Sequence, residues 1–205
     1  LDRPMTAREF LAAHPEVTAA ADGSMFGFCP GEPHDYRSYN CGVVDYGMFD
    51  GVTGALQLPR HPSWGGTLLV RGGRAEATTG CDVSDWWTAD VAWQGYPALV
   101  RHGDVVHTPG VDPDRVKRVG AGRLRDGRVF LAAATCSMHD FSLRGAAAGA
   151  EDFFYADGGG SGVVAARVDG GILADAPGAL DSRRVPSFVA AVHPLHWVPY
   201  GRMMR

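Results

Sequence analysis

An acid, three glycines and a hydroxyl follow one another at Asp157-Gly158-Gly159-Gly160-Ser161, directly after an apolar run that ends at Tyr155-Ala156. Consecutive glycines let a backbone approach a ligand closely and aim N–H groups at it. With a carboxylate on one side and a hydroxyl on the other, the turn suits a charged or sugar-like ligand. The same residues also make a tight connection in which Asp157 caps the turn and Ser161 starts the next strand. Other reactive side chains have less support. His107, His193 and His196 lack metal-ligand spacing, and His139, in the first turn of a helix, also reads as a solvated helix residue. Cys136 precedes a helix start, where a thiolate can be stabilised, but no His-Asn pattern accompanies it. Neither a phosphate-binding Walker loop nor a nucleophile elbow is present, because Gly160-Ser161-Gly162 lacks the elbow spacing. Trp86, Trp87 and Trp93 cluster ahead of Gly95, where a sugar ring could stack, although core packing and loop anchoring explain them more simply.

The elements that must position the glycine turn are legible from periodicity and caps. Val129–Ala134 and Asp152–Ala156 read as strands on either side of a helix, so the second strand delivers Asp157 into the turn. That helix opens with Ser137 as N-cap and Asp140 three residues on, runs from Met138 to about Ala148, and stops at Gly149. Thr6-Ala7-Arg8-Glu9 is a capping box for a first helix that ends near Pro15. Val17–Ala21 reads as a strand leading to Asp22. Hairpins are expected at Thr67–Ala77 across Gly72-Gly73, at Pro97–His107 across His102-Gly103, at Val119–Ala134 across Asp126-Gly127, and at Val163–Ala174 across Asp169-Gly170-Gly171. Val185–Val192 supplies a late strand. Residues 27–62, rich in Gly, Pro, Tyr and Asp, read as long loops with small strands and form the wall of a site. Mostly antiparallel strands with two helices predict an α+β fold.

Composition narrows the function. The 205 residues suit one domain, and 45% hydrophobic content is ample for a core. No run approaches the roughly 18–20 apolar residues of a membrane span. A net charge of -4 with scattered Lys and Arg argues against a nucleic-acid partner. The 28 glycines fall mostly at turns. The four cysteines, Cys29, Cys41, Cys81 and Cys136, form no CxxC pair. Cys29 and Cys41 bracket a polar loop and are either a disulfide or free thiols. The first residues show no basic segment followed by an apolar one, and the compartment stays open.

Several short signatures occur in one order between about residues 17 and 193. They are Asp22-Gly23-Ser24-Met25-Phe26, the hairpin from Leu68 to Ala75, and Gly95-Tyr96-Pro97-Ala98-Leu99 with its His102-Gly103 turn. Arg118-Val119-Gly120-Ala121-Gly122 and Asp126-Gly127-Arg128 follow. Gly149-Ala150, Asp157-Gly158-Gly159-Gly160-Ser161 and Ser182-Arg183-Arg184-Val185-Pro186-Ser187 complete the series. In this order the chain resembles the phosphodiester glycosidase family. The family pattern differs at Asp22, Tyr155, Ser182 and Ser187, where it has Asn, Asn, Glu and Asn, and at Gly162, where it has Ser.

The resemblance implies hydrolysis of a sugar 1-phosphodiester to a free sugar and a phosphomonoester, in an extracytoplasmic setting with a cell-wall, glycolipid or nucleotide-sugar substrate. It implies no organic cofactor and leaves a divalent cation open. Such a reaction builds positive charge on the sugar and needs a carboxylate near the anomeric carbon. Cationic and N–H donors are needed around the phosphate. At the matched positions, Asp157 and Asp22 are the expected carboxylates. Arg118 and Arg183 are the phosphate clamp, and Gly158, Gly159, Gly160 and Ser161 complete the anion pocket. His139, Tyr96 and Trp93 are further candidates. The departures leave two alternatives: a binding module for glycans or phosphates that does not turn over, and a glycosidase of non-phosphorylated linkages.

Overall fold

The computed structural model describes residues 5–22, 26–27, 43–44, 48–50, 55–57, 65–72, 74–79, 83–160, 162–169, 171–175, 181 and 188–192. Helix α1 (Ala7–Ala13) is followed by strands β1 (Val17–Asp22), β2 (Phe26–Gly27), β3 (Val43–Val44), β4 (Met48–Asp50), β5 (Ala55–Gln57), β6 (Gly66–Arg71) and β7 (Arg74–Thr79). A 3-10 turn at Val83–Thr88 leads into β8 (Val91–Gly95), β9 (Ala98–Arg101), β10 (Asp104–Val105), β11 (Val116–Leu124) and β12 (Val129–Cys136). Helix α2 (Met138–Ala147) and strands β13 (Ala150–Gly158), β14 (Val164–Val168), β15 (Gly171–Ala174) and β16 (Phe188–Val192) complete the chain. The described strands pair antiparallel throughout, so the fold is α+β.

The local signals for these elements work as the sequence suggests. Thr6 and Glu9 form both halves of the capping box on α1. The Ser137 hydroxyl accepts the Asp140 N–H at 3.1 Å, and Gly149 leaves α2 at φ +88°. Two elements differ in extent. Strand β10 stops at Val105, so His107 lies beyond it and is buried. Strand β13 continues to Gly158, which keeps Asp157 inside the ladder instead of releasing it into the turn.

A central sheet in the order β10-β9-β13-β11-β12 separates two cores. On one face, α2 sends Met138 and Phe141 against Phe153, Tyr155, Leu99 and Val100. On the other, Val119, Ala121, Phe154 and Ala156 meet Leu68, Ala77 and Trp93 of a second sheet ordered β5-β4-β8-β6-β7. Close approach of these sheets depends on glycine. A side chain at Gly66 or Gly95 would collide with the Phe154 ring. Arg123 joins the layers by donating to the Ala77 carbonyl at 3.1 Å and to buried Asp152 at 2.7 Å. A four-stranded sheet, β15-β14-β1-β16, carries α1, whose Phe10 ring stacks on Phe188 at 4.5 Å.

Candidate active site

The glycine turn grows out of the paired centre of the molecule. Strand β13 lies between β9 and β11, and its last residues pair Asp157 with Val119 and Gly158 with Arg118. The register shifts between Val119 and Gly120, which makes Ala156 the extra residue of a bulge. Residues opposite one another in an antiparallel ladder share a face, and successive residues alternate. Asp157 therefore projects on the side of Val119, toward the second sheet. Arg118 projects on the side of Gly158 and Tyr155, toward α2. The two groups are neighbours in the backbone and are directed to opposite faces.

Asp157 is 7% exposed, and its carboxylate accepts the Gly158 N–H at 2.6 Å. Gly159 has φ +64° and donates its N–H to the Lys117 carbonyl at 2.8 Å. Two of the three glycine N–H groups are thus engaged within the protein, and among the described residues only that of Gly160 has no partner. Gly159 and Gly160 are exposed, and no described atom lies within 4 Å of a Cβ built on either. At Gly158 a Cβ would collide with the Lys117 carbonyl.

Arg118 is 3% exposed, and four of its five N–H donors are engaged. Asp112 takes the guanidinium fork bidentately at 2.8 and 2.9 Å, the Asp114 carbonyl accepts at 3.1 Å, and the Cys136 carbonyl lies 3.5 Å from Nε. The Tyr155 ring lies under the guanidinium at 5.6 Å. Burial works against the charge, but hydrogen bonds to Asp112 and Tyr155 outweigh it and hold the pKa above the usual arginine value. A phosphate reaches this fork only by exchange with Asp112, which is held at φ +50° in a loop exposed from Thr108 to Val116.

His107 and His139 sit on the same α2-side face. Their rings are 6.5 Å apart, and His139 Nδ1 lies 3.2 Å from the His107 carbonyl. Burial, with help from His139 and Arg118, pushes the His107 pKa down against the opposing pull of Asp112. Burial likewise raises the Cys136 thiol, which disfavours the thiolate a nucleophile needs.

The remaining candidates divide clearly. Asp22 ends β1 opposite Phe188, and its neighbour Ala21 packs in the same cluster as Val119 and Ala156, so topology brings Asp22's backbone to the Asp157 side. The Asp22 side chain, Ser161, Arg183, Ser182, Ser187 and the cysteines at 29, 41 and 81 lie outside the described residues. Tyr96 is half-buried at a cis bond to Pro97, whose carbonyl accepts the Tyr155 N–H at 3.0 Å. Trp93 is buried in the inter-sheet core edge-on to Phe154, which leaves no ring face for a sugar; the exposed member of the trio is Trp87. No group of three or more metal-ligating side chains occurs among the described residues. Sequence reasoning missed Lys117, whose ammonium pairs with Asp175 at 2.9 Å. Its signal was parity: the residue before Arg118 must face the other way.

No known protein family matches the sequence, and no curated protein sequence matches it. Solved structures do match. The catalytic domain of zebrafish N-acetylglucosamine-1-phosphodiester alpha-N-acetylglucosaminidase, auto-inhibited by its pro-peptide, superposes with a TM-score of 0.62 at 14% identity, over 94% of this chain and 68% of that one. A hypothetical protein from Synechocystis superposes with a TM-score of 0.54 at 11% identity, over 91% of this chain and 53% of the other. At these identities the likeness is one of fold. It agrees with the resemblance read from the motif order, for which no family-level sequence match exists.

Proposed function

We propose that the protein hydrolyses glycosyl-1-phosphodiesters, releasing the sugar and a phosphomonoester. The observation that carries this reading is the placement of Asp157. A carboxylate closes a central strand beside an exposed glycine turn, in a fold like that of a phosphodiester glycosidase domain. In the reaction, the anomeric carbon–oxygen bond breaks and its electron pair leaves on the phosphate oxygen. Water adds to the carbon and gives up a proton. Positive charge develops on the sugar; Asp157 is the carboxylate assigned to that charge, and Asp22 is the second. The phosphate is already a good leaving group, so the site needs anion stabilisation more than a strong general acid. The N–H of Gly160 supplies one donor.

The test is a panel of glycosyl phosphodiesters, nucleotide sugars included, with phosphomonoester release as readout. Asp157→Asn should lower kcat by about 10²–10⁴-fold with an unchanged melting temperature. Near-normal turnover in that variant would defeat the proposal. The replacement of the family's asparagines by Asp22 and Tyr155 favours a second reading, a sugar-phosphate-binding module without turnover. It predicts saturable binding of the panel with no product, so detected hydrolysis would exclude it.

A further inference from the structure

Lys117 and Arg118 are consecutive cations on β11, and the pleat sends only Lys117 to the face of Asp157. Contacts at Gly162 confirm the direction. A Cβ built there would lie 3.5 Å from Lys117 Cδ, 3.2 Å from Val119 Cγ2 and 3.2 Å from the Gly158 Cα. The lysine stem therefore passes directly over the exit of the glycine turn. At its end, Nζ donates to Asp175 Oδ2 at 2.9 Å, and the lysine side chain is only 17% exposed. Asp175 is itself anchored beyond the turn: its Oδ1 accepts the Val164 N–H at 3.0 Å, and its own N–H donates to the Val164 carbonyl at 3.0 Å.

We infer that Lys117, oriented by Asp175, is the phosphate-binding cation of the glycine-turn site; this rests on the proposed function and names which cation serves it. Donor capacity separates Lys117 from its neighbour. Arg118 has four of its five N–H donors directed at Asp112, Asp114 and Cys136, and Tyr155 engages the group as well. An ammonium has three donors, and Asp175 takes one of them, so two remain for phosphate oxygens. A Cβ at position 162 would press on the Gly158 Cα and Val119 Cγ2 at 3.2 Å and touch the lysine stem at ordinary contact distance, so the stem lies against this end of the turn. Asp175 is a positioning residue: it holds the ammonium over the turn and is not itself a ligand for an anion.

The experiment measures binding of inorganic phosphate, a hexose 1-phosphate and the neutral methyl hexoside by titration calorimetry, for the wild type, Lys117→Met, Lys117→Arg and Arg118→Lys. Melting curves check folding. Lys117→Met should weaken both phosphate ligands by about 10- to 100-fold, as for loss of one charge-assisted hydrogen bond, and leave the hexoside unchanged. Lys117→Arg should recover part of the loss. A purely structural lysine would lower the melting temperature without this selectivity, and that result would overturn the inference. So would a wild type that binds no phosphate, or a selective phosphate loss confined to Arg118→Lys. A wild type that binds phosphate through Lys117 but cleaves no diester leaves the inference standing and ends the proposed function. Cleavage with an unchanged KM in Lys117→Met does the reverse.

Discussion

Arg118 and Asp112 show how an ion pair with unequal burial should respond to mutation. The Arg118 side chain is 4% exposed, while the Asp112 side chain is 42% exposed. Removing the carboxylate by Asp112→Ala leaves a buried charge without its main partner. Water reaches the gap through the exposed side, which limits the cost to about 1–3 kcal/mol. Arg118→Met removes the charge together with its desolvation penalty and should cost less than Asp112→Ala. Urea unfolding of both variants checks the order, and the reverse order would show that Arg118 acts mainly by packing. A reader of the sequence sees Arg118 as a free cation because its captor is six residues away in an irregular loop. Nothing in Thr108-Pro109-Gly110-Val111-Asp112 marks that acid as a partner.

At the scale of elements, the strands and helices were largely legible because their signals are local. Thr6 with Glu9, Ser137 with Asp140, and the positive-φ pair His102-Gly103 each announce an end or a turn from within a few residues. The glycines divide by whether the fold itself requires them. Gly95→Ala drives a methyl group into the Phe154 ring and the Tyr155 carbonyl, and should destabilise by about 1–3 kcal/mol. Gly160→Ala meets no described atom within 4 Å and should stay within about 0.5 kcal/mol of the wild type. Thermal melting of the two variants tests this contrast. If Gly160→Ala melts as low as Gly95→Ala, the turn is a structural connection and not open ground for a ligand.

At the scale of the whole molecule, pH dependence follows from burial. His107 is 8% exposed and its Nδ1 has no hydrogen-bond partner among the described residues. Its pKa is lowered by burial first, then by His139 and Arg118, with Asp112 opposing. The folded protein therefore binds a proton less readily than the unfolded chain, whose histidine titrates near about 6.5. Stability is greatest above that pH and falls as the pH drops below it toward the folded pKa. His107→Gln should flatten this acid slope between about pH 7.5 and 5 in urea titrations. An unchanged slope in the variant would assign the dependence to other groups.

The sequence by itself determined most of the helices and hairpins, and that Asp157 adjoins a glycine turn, because caps, alternation and turn residues act over a few positions. Tertiary structure alone decided the faces and the partners. One bulge residue, Ala156, and a ladder with Val119 and Gly158 put Asp157 and Arg118 on opposite sides of a sheet. Asp112 closes on Arg118 and Asp175 on Lys117 only because packing brings separate segments together. Residue types state which charges exist. The register of strands distant in sequence decides which of them meet, since a shift of one residue reverses every side chain on a strand.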